Sequence, residues 1–173
     1  MEIRWSEFDA LLSPCGLYRY WLTRIWDRSK PVLVVVMVNP SKADHRVNDP
    51  TISRLIAFAK RWGYGGFLVV NLNALRSSDP AELRRAADPI GPDNSMHLAA
   101  ALDRGGPVLV AWGNDGIFLD GDKRFLRMAS ARGVQLLCLG TTSGGHPKHP
   151  QARGKHRVPD DFEPVPFTIG GAQ

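Results

Sequence analysis

The run Val32-Leu-Val-Val-Val-Met-Val38, opened by Pro31 and closed by Asn39-Pro40, constrains this chain more than any other feature. It is rich in β-branched residues and has no polar residue at alternate positions. A strand of that kind is stable only where both of its faces are covered, as in the interior of a parallel sheet. Three further short apolar runs follow, Phe67 to Asn71, Val108 to Trp112 and Val134 to Leu139, each ending in a polar or glycine-containing turn. Ahead of them, Gly16 to Asp27 alternates large apolar with polar residues, the pattern of a half-buried strand.

Helical patterns fill the intervals. Asp49 can cap a helix with Pro50 at its first position, and Ile52, Leu55, Ile56 and Ala59 then recur on one face. Asp79-Pro-Ala-Glu82 has the spacing of a capping box. Met96, Ala99, Ala100 and Asp103 mark a third helix, and Phe125, Leu126 and Ala129 a fourth. Repeated strand–helix–strand alternation predicts an α/β fold. The expected form is a three-layer α/β/α sandwich around a mostly parallel four-stranded sheet, with one extra N-terminal strand. A single domain over 1–173 is expected, with a core of about 31–157 and a tail of 158–173.

Composition narrows the classes. Apolar residues make up 43% and charged residues 23%, which excludes a wholly disordered chain. No apolar run approaches the ~20 residues of a membrane-spanning helix, and MEIRWSEFDA lacks the apolar core of a secretory signal. Two cysteines, Cys15 and Cys138, cannot form a disulfide framework or a four-cysteine site, so a reducing cytoplasm is expected. The 22 basic against 17 acidic residues give +5, which suits an anionic partner. Walker, dinucleotide and nucleophile-elbow motifs are absent, so kinase, nicotinamide-enzyme and serine-hydrolase readings lack support.

In parallel sheets the working residues sit on loops beyond the carboxyl ends of the strands. In the first such loop, VNPSKADHRVNDPT, Asn39 either caps its own backbone or holds a water or a base edge. In the second, Asn71 and Asn73 either form the turn or contact a nucleobase, and Arg76 can reach a phosphate. Trp112 reads as core. The fourth loop is the most unusual: Thr141 to Pro159 carries Lys148, Arg153, Lys155 and Arg157 with His146, His149 and His156, and no acid. That is either a phosphate-contacting surface or a solvated loop. Prolines after His146 and His149 disfavour a helix, and no acid or cysteine is nearby in sequence. No metal or other cofactor is expected. A histidine donating a hydrogen bond to a developing anion fits better.

Taken in order, these segments resemble the uracil-DNA glycosylase superfamily. VVVMVNPS is similar to its first motif, GFLVVN to the strand ending in the base-recognising asparagine, VLVAWG to the strand ending in Trp-Gly, and HPKHP to the closing His-Pro loop. The chain also resembles an uncharacterised bacterial and phage family sharing Asn-Pro-Ser, Asn-Asp-Pro-Thr, Trp-Gly-Tyr-Gly-Gly and His-Pro-x-His-Pro stretches. The superfamily resemblance implies hydrolysis of the N-glycosidic bond of a damaged or modified base flipped out of DNA; the partner expected is DNA, with the chain itself a monomer. It implies that Asn39 positions water, that Asn71 reads the base, and that His146 or His149 stabilises the departing base, His146 being preferred as the first after the strand. Pro40, Ser41, His45 and Asn73 would complete the base pocket, and Arg76, Lys148, Arg153 and Lys155 would hold phosphates. Ser41 to His45 brings no tyrosine or phenylalanine to stack on the base, so His45, or Trp62 or Tyr64, would serve. Lys148 replaces the family's usual serine. The iron–sulfur branch, which needs four cysteines, is excluded. The alternatives are a non-catalytic binder of nucleic acid or nucleotide, and a hydrolase of a free nucleoside or nucleotide.

Overall fold

The computed structural model describes residues 7–41 and 47–168. It is a mixed α/β structure, with a seven-stranded sheet and four α-helices among the described residues. The strands are β1 (Phe8–Leu12), β2 (Arg19–Ile25), β3 (Val32–Met37), β4 (Gly66–Asn71), β5 (Val108–Val110), β6 (Leu136–Cys138) and β7 (Val165–Pro166). The helices are α1 (Pro50–Arg61), α2 (Pro80–Arg85), α3 (Asn94–Leu102) and α4 (Gly121–Ser130). Across the sheet the order is β1-β2-β4-β3-β5-β6-β7.

The apolar run forms β3 at the centre, with Leu33 to Val36 no more than 2% exposed. It pairs in parallel with β4 through Val34↔Leu68 and with β5 through Val35↔Leu109, and β5 pairs in parallel with β6. Side-chain alternation sends Leu33, Val35 and Met37 to one face, where Ile52, Leu55, Phe58 and Ala59 of α1 cover them. Val34 and Val36 point to the other face, against Leu98, Ala101 and Leu102 of α3 and Phe125 and Ala129 of α4. Covering both faces removes an all-apolar strand from water, which is the stabilisation such a strand requires.

The edges differ from expectation. The sheet has seven strands rather than four plus one, because both margins are extended by antiparallel pairing. β2 is not half-buried: Arg19 and Arg24 are each 1% exposed. β1 covers its outer edge, and the Arg24 Nε donates to Asn48 Oδ1 at 2.8 Å. The tail is packed down over its described residues, 158–168, with β7 paired to β6, Val158 fully buried and Phe162 against the α1-side core. In α3 the buried face carries Asn94, His97, Leu98, Ala101 and Leu102, whereas Met96 is 45% exposed. The Trp62-Gly-Tyr-Gly-Gly66 stretch is explained by close approach: a Cβ on Gly65 would lie 1.8 Å from the Asp27 carbonyl oxygen. Among the described residues no helix is long and apolar enough to cross a membrane.

Candidate functional site

From β3 the chain moves to β4 on one side, and after β4 it reverses to β5 on the other. Helices therefore lie on opposite faces, and the loops leaving β3 and β5 diverge. That point of reversal is where parallel sheets open a crevice beyond their carboxyl ends. A cavity of about 560 Å³ lies there, lined by residues following β3, β5 and β6 and by the starts of α1 and α2. Its size suits a small organic ligand.

One wall is Asn39, Ser41 and Asp49. Asn39 follows β3, and Pro40 fixes the turn. The Asn39 amide nitrogen donates to the Ser77 carbonyl at 2.7 Å and the Pro40 carbonyl at 3.2 Å, tying the first loop to the second. Asp49 caps α1: its Oδ1 accepts from the Ile52 N–H at 2.8 Å. Its Oδ2 accepts from the Ser41 hydroxyl. Asp79 caps α2 differently from a simple box, since Ser77 Oγ donates to Glu82 Oε2 at 2.6 Å and accepts from the Asp79 N–H at 3.0 Å.

The facing wall carries His149. Burial lowers its pKa to about 4, against the opposing charge of Asp49. The imidazole is therefore neutral near pH 7. The Gln151 N–H donates to His149 Nδ1 at 3.0 Å, so Nδ1 is unprotonated and Nε2 carries the proton. The loop is clamped on both sides. Gln151 donates to the Pro50 carbonyl at 2.9 Å, and Arg54 donates to the Pro150 carbonyl at 2.7 Å and to the Val158 carbonyl. Gly113, at φ +65°, makes the turn after β5 and donates its N–H to the Pro147 carbonyl at 2.8 Å.

Of the residues expected from sequence, the cavity brings together Asn39, Ser41, His149 and Arg153. Pro40 is buried in the turn behind them. His146 is not on the lining; its carbonyl accepts from the Thr142 N–H within the loop's own turn, so of the two histidines the cavity takes in the second. Asn71 is fully buried off the lining, with neither side-chain polar atom paired. Asn73 is also buried off the lining, its Nδ2 donating to the Val38 carbonyl at 3.4 Å. Arg76 donates to the Gly16 carbonyl at 3.2 Å and lines a neighbouring groove of about 230 Å³. Lys148 lies against Gly140, and Lys155 is exposed off the lining. His45 lies outside the described residues. Trp62 does not cover the cavity: it stacks on Phe58 at 5.1 Å between ring centres and donates to the Phe162 carbonyl. Tyr64 packs in the same α1-side core. Trp112 is 2% exposed, edge-on to Phe125 and Phe167, and belongs to the core while touching the cavity.

Sequence reasoning missed Asp49 as a site residue, because its helix-capping role was sufficient to explain it. It also missed Asn114, which accepts from Thr142 Oγ1 at 2.7 Å, and Arg84, paired with Asp115 at 3.1 Å. Among the described residues no group of three or more His, Cys, Asp or Glu stands close enough to hold a metal. A family model described as a protein of unknown function (DUF1643) matches residues 19–151. No curated protein and no solved structure matches the chain.

Proposed function

Because the chain belongs to that DUF1643 family, whose description carries no activity, we propose a function from the site itself: hydrolysis of the N-glycosidic bond of a damaged or modified base flipped out of DNA. The observation that carries this reading is the meeting of Asn39 and a neutral, tautomer-fixed His149 in one cavity at the sheet's point of reversal. Breaking the bond leaves positive charge on the sugar and negative charge on the base. A neutral Nε2–H donates to that anion without first having to lose a charge. One such focused hydrogen bond is worth ~3 kcal/mol, or roughly a hundredfold in rate. Asn39 Oδ1 holds the water, since its amide hydrogens are engaged by backbone carbonyls.

Asn71 adds support. Strand alternation puts it on the α1 face with Val69, in register with Met37, and Met37 lines the cavity. A buried amide with unmade hydrogen bonds costs ~1–3 kcal/mol. A base edge reaching past Met37 would recover that cost, in keeping with the role the resemblance implies. Arg153 at the cavity and the exposed Lys155 and Arg157 beyond it supply contacts for flanking phosphates.

The test is an unbiased screen of duplexes carrying modified bases, read by mass spectrometry for released base. Wild type should release at least one base, and Asn39→Ala and His149→Ala should each lose about a hundredfold. Release of no base from any duplex, or wild-type cleavage by both variants, overturns the reading. A non-catalytic binder would retain salt-dependent DNA binding without release. A hydrolase of free nucleotides would show DNA binding displaced by mononucleotide.

A further inference from the structure

We infer that Asp49 is the general base of the proposed hydrolysis, taking a proton from the water that Asn39 holds. This rests on the N-glycosidic reading and deepens it. Among the described residues the cavity lining contains two carboxylates, Asp49 and Asp115. Asp115 is engaged by the Arg84 guanidinium at 3.1 Å on the exposed side. Asp49 sits in the same wall as Asn39, joined to it through Pro40 and Ser41.

An amide oxygen orients water but does not remove its proton, so Asn39 cannot activate the nucleophile alone. A carboxylate offers about four acceptor positions. Asp49 uses one for the Ile52 N–H and one for the Ser41 hydroxyl. These two bonds fix its rotamer and leave acceptor capacity on both oxygens. The His149 ring also feels the Asp49 charge, which places base and hydrogen-bond donor around one space.

In the step, the water oxygen bonds to the anomeric carbon as the carbon–nitrogen bond breaks, and the bonding pair leaves with the base. The water proton passes to Asp49. His149 Nε2–H stabilises the anionic base, which takes up a proton as Asp49 returns its own to solvent. The products are free base and an abasic sugar, and no oxidant or reductant is consumed.

The competing explanation is that Asp49 only caps α1. Asparagine and serine cap helices about as well as aspartate, so Asp49→Asn and Asp49→Ser separate the two roles. On a substrate found by the base-release screen, both variants should keep the wild-type melting temperature and substrate KM. Both should lose at least a hundredfold in kcat, and added formate should restore part of the Asp49→Ser activity. Should Asp49→Asn fail to fold, the formate response of Asp49→Ser decides. If wild type releases base and Asp49→Asn stays within threefold of it, or formate does nothing for a folded Asp49→Ser, Asp49 is not the base, though the glycosidase reading stands. If wild type releases no base, both ideas fall together.

Discussion

Replacing His149 with Gln should change how the protein's stability responds to acid. His149 has a folded pKa of about 4 against 6.5 for a free histidine, chiefly because burial disfavours the imidazolium. Between those values the unfolded chain binds a proton that the folded protein refuses, so stability falls as pH is lowered through this window. Well above pH 6.5 the contribution is intact, and well below pH 4 it changes no further. Linkage over that span gives a loss of about 2 kcal/mol at pH 5 and about 3 kcal/mol at pH 4, as upper values, since solvent at the cavity edge of the ring reduces them. Urea unfolding of wild type and His149→Gln at pH 7, 6, 5 and 4 isolates the His149 contribution, because other titrating groups are common to both proteins. The difference in unfolding free energy should shrink with acid along that curve. Side-chain nitrogen NMR should show the Nε2–H tautomer at pH 7 and its persistence at pH 5. A pH-independent difference, or a folded-state midpoint near 6.5, refutes the buried neutral imidazole and with it the assigned role of the ring.

Two further variants test the frame around the site. Arg54→Ala removes bonds to the Pro150 and Val158 carbonyls and the contact over Phe58, and should cost roughly 2–4 kcal/mol in urea unfolding and expose the chain near Phe162 to protease. Arg54→Lys should recover less than half of that, since an ammonium cannot span both carbonyls. Asn71→Leu replaces an unpaired buried amide with an apolar group of similar shape and should raise stability by about 1–2 kcal/mol while abolishing base release. Loss of stability in that variant would mean the amide is satisfied internally and is not held in reserve for a ligand.

How far the sequence could be read depends on how each feature is encoded. The β3 run announced a sheet covered on both sides because seven consecutive residues, Val32 to Val38, carried one message. The first residues of α1 were equally legible, since capping by Asp49 is a local bond to Ile52. The sheet edges were not. β1 reads FDALL and β7 is two residues, Val165 and Pro166, so neither shows a period, and both are strands only because a neighbour offers unpaired backbone. Met96 misled because α3 is apolar nearly all round, and its true core face includes the polar Asn94 and His97. Asn94 earns that place by donating to the Asn71 and Leu72 carbonyls.

The site divides along the same line. The place of Asn39 on the cavity was legible because it stands two residues beyond the strand whose end defines the crevice, so one local fact fixed its location. Choosing between His146 and His149 required knowing which residues touch the loop from elsewhere. Gln151 reaches Pro50, Arg54 reaches Pro150, and Gly113 reaches Pro147, and every one of these bonds spans more than thirty residues of chain. The first two pin the second His-Pro to α1, whose cap is Asp49, and the third ties the first His-Pro to the turn after β5. A loop closed this way gives up its conformational entropy during folding rather than on ligand binding. The long-range bonds that sequence hides are therefore the ones that preorganise the imidazole, and Asp49 on the α1 cap and His149 on the closing loop line one cavity because Arg54 and Gln151 hold the two elements together.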